Sequence, residues 1–435
     1  MINPKDVHRI ISQRMPSPVF DLTLDLRKSK GVRIYDSRYD REFLDFFGFF
    51  ATSPLGMNHP KMFEQDFLYE LETTAINKPT NSDVYTPELA EFVATLSRVA
   101  TPSYMKYFFF IDGGALAVEN ALKTAFDWKI RKNLDGGHKK ELGTKIIHFK
   151  EAFHGRSGYT LSLTNTFDPN KIKYFPKFKW PRVTNPKITF PLEGKNLKAV
   201  EALEQKSIRE IKTALKTYKD DIAALIIEPI QAEGGDNHFR SEYLNEIQRI
   251  CNDNDIMFIM DEVQTGLGTT GKWWAHQHFG LKPDIIVFGK KMQVCGIMVG
   301  PKIDEIKENV FHVPSRINST WGGNLTDMVR ATRYLTIMEE EKLVENAAVI
   351  GEYFLARLRE LQERHVGKIS NARGRGLMVA FDLPDTKMRD TVNDALYKNG
   401  LLSLKTGERG IRFRPPLIIT KTDVDEAVSR IEKSL

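Results

Sequence analysis

From about residue 60 to about residue 330, short unbroken apolar runs alternate with stretches whose apolar positions recur every three or four residues. Runs without polar alternation are what strands covered on both faces look like, and their alternation with helical periods marks a mostly parallel α/β sheet. One helix pattern, Leu197, Val200, Leu203, Ile208, Ile211 and Leu215, leads into the strand-like run Ala223-Ala224-Leu225-Ile226-Ile227. Phe108 to Ile111 leads into Asp112-Gly113-Gly114-Ala115 and then a helix through Ala121, Leu122, Ala125 and Phe126. Residues from about 20 to 50 alternate apolar and charged positions, which predicts strands on a small lobe. Beyond about 330 the pattern gives two helices, then GRGLMVAFDL as one strand, then RFRPPLIIT and a short terminal helix. At 435 residues the chain exceeds what one core usually supports. It divides into an N-terminal segment 1–59 packing with the small domain, a large domain 60–329 and a smaller α+β domain 330–435.

Two of the apolar runs end in opposite charges. Ile256-Met257-Phe258-Ile259-Met260 runs into Asp261, and Ile285-Ile286-Val287-Phe288 runs through Gly289 into Lys290. The spacing, 290 − 261 = 29 residues, is about one crossover unit of a parallel sheet. In such sheets ligands bind beyond the carboxyl ends of the strands, which puts Asp261 and Lys290 on one rim. An amine and an acid held this way suit pyridoxal phosphate: the amine forms a Schiff base with the aldehyde, and the acid keeps the ring nitrogen protonated. Opposite charges ~4 Å apart at an effective dielectric of ~20 interact by roughly 4 kcal/mol, enough to raise a pyridine pKa by about three units. Without such a ligand, the same two residues would form a salt bridge or cap helices.

The strand, Gly-rich turn and helix start at Asp112–Ala115 make either an anion cradle of free backbone N–H groups or a tight turn capped by Asp112. Phe153, following the run with Ile146, Ile147 and Phe149, can stack on a flat ring or lie in the core. Arg156 and Arg412 can each grip a carboxylate bidentately. Glu228 and Glu233 close another buried strand, as gate or as caps.

Composition narrows the field. The hydrophobic fraction is 41% and the charged fraction 28%, ordinary for a globular chain. Cys251 and Cys295 make no disulfide framework, which fits a reducing cytoplasm, and no His or Cys cluster has metal-ligand spacing. The start, MINPKDVHRIISQRM, has no signal-peptide pattern, and no stretch approaches the ~20 apolar residues of a membrane span. The net charge of +6 is modest. Lys171–Arg182 (KIKYFPKFKWPR) interleaves basic and aromatic residues, either as a nucleic-acid surface or as a solvated loop near an anionic ligand, and no nucleic-acid-binding motif accompanies it.

In order along the chain stand LGMNHP, GGALAVENALKTA, AFHGRSGYT, IIEPIQAEGG, IMDEVQTGLG, PDIIVFGKK, STWGGN and GRGLM. With this ordered set the chain resembles the class III (ω-amino) aminotransferases of the fold-type I pyridoxal phosphate enzymes. It departs from the general pattern at KMQVCG after the lysine, at Thr269-Thr270 and in NSTWGGNLTDMVR. These variants are similar to the subgroup acting on lysine's ε-amine.

The resemblance implies a fold-type I transferase and a set of roles. Lys290 would be the catalytic, cofactor-bearing lysine, and strand alternation would turn Lys291 to the opposite face. Asp261 would pair with the ring nitrogen and Gln264 with the ring hydroxyl, where it would also meet substrate. Phe153 would stack on the ring, and Gly114 and Ala115 would bind the phosphate. Thr320 would reach it from the neighbouring subunit of a homodimer. Arg156, Glu233, Asn318 and Arg412 would contact substrate. Glu233 would be the temporary partner of Arg412 while lysine is bound. The implied reaction moves the ε-amino group of L-lysine to 2-oxoglutarate, giving 2-aminoadipate 6-semialdehyde and glutamate, in the cytoplasm. The alternatives are another ω-amino donor (ornithine, 4-aminobutyrate or acetylornithine), a racemase or aminomutase, or a binding protein without catalysis on the same fold.

Overall fold

The computed structural model describes residues 2–435; Met1, the first residue of the expected N-terminal segment, lies outside them. The large sheet has seven strands: β3 (Tyr107–Ile111), β4 (Lys145–Phe149), β5 (Arg182–Val183), β6 (Ile222–Ile227), β7 (Met257–Asp261), β8 (Ile285–Phe288) and β9 (Cys295–Val299). Their spatial order is β3-β9-β8-β7-β6-β4-β5. β4 through β8 pair in parallel, and β9 alone runs against its two neighbours.

The unbroken runs are explained by cover on both faces. Ile226, Ile259 and Val287 pack with Ala117, Ala121 and Leu122 of the helix Gly114–Asp135. The alternate residues Leu225, Ile227, Phe258 and Met260 pack with Leu244 and Ile247 of the helix Ser241–Asp253. A strand with both faces buried has no polar face to alternate.

Two smaller sheets complete the fold. β1 (Arg33–Asp36) and β2 (Arg41–Asp45) form an antiparallel hairpin, which β12 (Leu401–Leu402) joins in parallel. The second is ordered β10-β11-β14-β13, from Ser370–Arg375, Met378–Asp382, Gly410–Phe413 and Leu404–Thr406. Here the structure corrects the sequence pattern: GRGLMVAFDL is no single strand. The chain reverses at Gly376-Leu377, and β10 pairs antiparallel with β11. β10 holds one apolar residue, Ala372, so the apolar run begins only at the turn and marks no separate strand before it. Gly376 holds φ +54°, and a Cβ there would meet the Thr270 carbonyl carbon at 2.4 Å.

The N-terminal segment holds the other departure from simple strands. Gly48, Phe49, Phe50 and Ala51 form one left-handed turn, with φ of 54°, 51°, 59° and 65°. Left-handed helical geometry costs roughly 1–2 kcal/mol per non-glycine residue, so the turn persists only because its surroundings hold it. Asp45 Oδ1 accepts from the N–H groups of Phe47 and Gly48 at 3.0 and 2.8 Å. Lys291 Nζ donates to Ala51 O at 3.1 Å, and Gln293 Nε2 donates to Thr52 O at 2.8 Å. No helix among the described residues is long and apolar enough to cross a membrane.

A Cβ on Gly48 would sit 2.1 Å from Arg414 O, a backbone atom with no freedom to retreat. Gly48→Ala should therefore lower stability by ~3 kcal/mol. Denaturant unfolding with an unchanged midpoint would refute that constraint.

Candidate active site

β7 and β8 are adjacent and parallel, with Asp261 opposite Val287, so Asp261 ends one strand and Lys290 stands just past the other. A cavity of about 740 Å³ opens at this rim, lined by Lys290, Asp261, Gly114, Ala115, Phe153, Arg156, Glu233 and Gln264. An adjoining cavity of about 950 Å³ shares Lys290, Phe153, Arg156, Glu233 and Gln264 and adds Arg412. Nine of the eleven residues singled out from the sequence (that is, all but Asn318 and Thr320) thus meet around one space.

Asn318 and Thr320 lie elsewhere. Both are exposed; Asn318 lines a separate hollow beside Phe108–Phe110, and Thr320 O accepts from Ser82 Oγ at 3.1 Å.

Lys290 opens a short turn beyond β8 and holds φ +53°. Gly289 before it is required, because a Cβ would lie 2.8 Å from Cys295 Sγ. Burial, then the Arg412 guanidinium, pushes the Lys290 amine down to about 8, against the pull of Asp261 and Glu228. Lys291 is set apart by this turn and not by strand alternation, since both lysines lie past the strand end. Its amine is buried away from the cavity on Ala51 O, and burial, Arg414 and Lys290 hold it well below the usual lysine range.

Asp261 is 4% exposed and keeps two partners: Val263 N donates to Oδ1 at 3.1 Å, and His154 Nδ1 lies 2.7 Å from Oδ2. Burial opposes charge on His154, but the Asp261 hydrogen bond and charge outweigh it and raise its pKa. Glu228, just past β6, accepts from Phe153 N at 2.9 Å and Ala232 N at 3.1 Å. Burial pushes Glu228 up to about 7; Asp261 adds to that rise and His154 opposes it. From sequence, His154 has no role and Glu228 only that of gate or cap, although both stand inside the motifs AFHGRSGYT and IIEPIQAEGG.

On the other wall Arg412 is buried, and burial followed by Arg414 lowers its pKa to about 10. Gln264 Oε1 accepts from it at 3.1 Å and from Arg414 Nε at 3.4 Å. Arg414 is itself paired to Asp236 at 2.5 Å. Glu233 is anchored on a different side of the cavity from the lysine-bound pairing expected for it. Its partners are Lys171 Nζ and Thr166 Oγ1, each 2.7 Å from Oε1, and not Arg412.

The cavity fits pyridoxal phosphate on its own features. The helix Gly114–Asp135 begins there with no side-chain cap, which leaves Gly114 and Ala115 amides for a phosphate; Asp112 is not the cap. A Cβ on Gly114 would meet Val263 Cγ1 at 2.9 Å, so the wall is shaped around a bare backbone. The buried His154 Nε2, Glu233 Oε2 and Arg412 Nε have no protein partner. An amine of lowered pKa opposite a clamped carboxylate completes the set.

Comparison with known proteins agrees with this geometry. The sequence profile described as Aminotransferase class-III matches residues 15–435. The chain is 47% identical to an L-lysine-epsilon aminotransferase of Mycobacterium tuberculosis over 433 residues, covering 99% of this chain and 96% of that one. It is 46% identical to the L-lysine-epsilon aminotransferase of Streptomyces clavuligerus, covering 100% and 95%. The solved lysine aminotransferase of M. tuberculosis in the internal aldimine form superposes with a TM-score of 0.97 at 47% identity, covering 100% of this chain and 99% of that one. By its profile, its full-length relatives and its fold, the chain belongs to the class-III aminotransferases and is a pyridoxal-phosphate-dependent enzyme.

Proposed function

We propose that the enzyme transfers the ε-amino group of L-lysine to 2-oxoglutarate, giving 2-aminoadipate 6-semialdehyde and glutamate. The observation that carries this reading is the near-complete, 46–47% identical match to enzymes of that name. Lys290, Asp261, Arg156 and Arg412 around one space supply the parts the reaction needs.

Pyridoxal phosphate, when bound, supplies an aldehyde that takes up amines and a protonated ring that withdraws electrons. Lys290 Nζ would hold it, and when free would act as the base and acid that carries a proton between two carbons. A pKa lowered to about 8 keeps part of this amine neutral near neutral pH, as a base must be. Asp261, fixed by Val263 N and His154, presents negative charge to the ring nitrogen. Phe153 would pack on the ring, Gln264 would meet its hydroxyl, and Gly114 and Ala115 would hold the phosphate. Arg156 takes the distant carboxylate of either substrate. Arg412 takes the carboxylate beside the reacting carbon of 2-oxoglutarate. Lysine has no carboxylate beside its ε-carbon, and Glu233 neutralises Arg412 during that half-reaction. The reading includes a homodimer in the cytoplasm. The exposure of Asn318 and Thr320 outside this cavity suits residues that serve the neighbouring subunit's site.

A panel of lysine, ornithine, 4-aminobutyrate and acetylornithine with 2-oxoglutarate, scored by glutamate formed, tests the reading. Lysine should lead the panel, and a faster competitor would overturn the choice of donor. Asp261→Asn should keep the fold and lose roughly a thousand-fold in turnover, the rate equivalent of ~4 kcal/mol; wild-type turnover would remove its electrostatic role. The lowered Lys290 pKa has a definite sign. The neutral amine gains population as pH rises through about 8 instead of the ordinary 10.5. Capture of pyridoxal phosphate by apoprotein, followed by visible absorbance, should therefore accelerate up to pH ~8 and level off above ~9. A rate still climbing at pH ~10 would contradict it.

A further inference from the structure

The basic and aromatic segment from Lys171 to Arg182 contains one residue that turns into the cavity wall. Lys171 closes the short turn Pro169–Lys171, and its Nζ lies 2.7 Å from Glu233 Oε1. Thr166 Oγ1 donates to the same oxygen at 2.7 Å. The unit is internally braced: Asp168 N donates to Thr166 Oγ1 at 3.2 Å, and Asn170 N donates to Asp168 Oδ1 at 3.0 Å. Opposite stands Arg412, buried, with Gln264 Oε1 as its side-chain partner and its Nε without one. Glu233 Oε2 is likewise buried without a partner. Thr166, Lys171, Glu233, Arg412 and Lys290 all line one cavity of about 950 Å³. Glu233 is therefore held by one cation while another cation of the same cavity, Arg412, is under-partnered.

We propose that Lys171, backed by Thr166, is a catch that holds Glu233 off Arg412 and so sets how readily the site accepts a carboxylate beside the reacting carbon. The proposal rests on the Glu233–Arg412 exchange in the function proposed above. A largely buried carboxylate needs a cation, so Glu233 moves between pairings and does not stand alone. Left to choose, it would favour the planar guanidinium, which can bind it bidentately. An ammonium and a hydroxyl on the far side narrow that gap, and Arg412 is freed at small cost when a dicarboxylate arrives. Lys171 remains about one-third exposed, so its hydration keeps the catch weak enough to reopen. It touches no reacting atom; it is a positioning residue for substrate choice. A ligand that needs Arg412 free must gain from the caught state, and one that does not need it must be indifferent.

The test is calorimetric binding to the holoenzyme of two unreactive ligands: glutarate, with carboxylates at both ends, and hexanoate, with one. Lys171→Met should weaken glutarate about tenfold and leave hexanoate within about twofold, within the range of a typical site-to-site coupling. Lys171→Arg should restore glutarate binding. Glu233→Gln should tighten glutarate, and in that background Lys171→Met should have almost no further effect. Equal weakening of glutarate by Lys171→Met in both backgrounds would make Lys171 a direct attractor at the cavity mouth and overturn the catch. A shift with Glu233→Gln but none with Lys171→Met would also overturn the catch while sparing the exchange. If Glu233→Gln leaves the glutarate-to-hexanoate ratio unchanged, the exchange itself fails and the catch with it.

Discussion

The hydrogen-bonded register between β7 and β8 pairs Ile259 with Ile285, Met260 with Ile286 and Asp261 with Val287. This pairing brings an acid and an amine, 29 residues apart in sequence, to one rim. Side chains alternate faces along a strand, so a slip by one residue would carry Asp261 to the opposite side of the sheet. The register is in turn enforced by packing, since Ile259 and Val287 belong to one apolar layer and Phe258 and Met260 to the other. The chemistry is thus placed by hydrophobic contacts that take no part in it.

Around that rim the enclosed charges form chains in which each member sets the next. Glu228, His154 and Asp261 alternate acid, base and acid, and against the effect of burial the two carboxylates raise the His154 pKa. Gln264, Arg412, Arg414 and Asp236 form a second chain on the facing wall. Buried charges need partners, so removing one member of either chain should disturb residues that never meet a ligand. Lys290 feels both, its pKa lowered first by burial and then by the arginine side, and raised by the carboxylate side.

Asp261 and Lys290 were legible in the sequence because an unbroken apolar run followed by a charge announces the end of a buried strand. The Gly113-Gly114 turn was visible as well, but only the structure decides for open amides over a cap. His154 was not legible: its partner stands 107 residues away, and a histidine in a loop has no periodicity. The hairpin at GRGLMVAFDL was hidden because its first strand, Ser370–Arg375, has only Ala372 as an apolar residue and so leaves no apolar run to read. The left-handed turn was hidden for a different reason. Phe49 and Phe50 have the composition of a strand, and their backbone geometry is imposed by Asp45, Lys291 and Gln293. Lys171 read as one cation among several, and only a contact to Glu233, 62 positions on, separates it from its neighbours.

The tie from Lys291 and Gln293 to residues 51 and 52 joins the loop of the reactive lysine to the beginning of the chain. β2 in turn needs Leu401–Leu402 as a sheet partner, and Arg33 is paired with Glu426 at 2.6 Å. On the ribosome, then, the first strands are made early and must wait. The wall that Phe50 and Thr52 give to the cavity settles only after residues 401 to 426 have emerged, and contacts of such long sequence separation form slowly. A growing chain in which Lys290 has already appeared is therefore still an unfinished vessel, with its aromatic N-terminal segment uncovered and in need of protection from association.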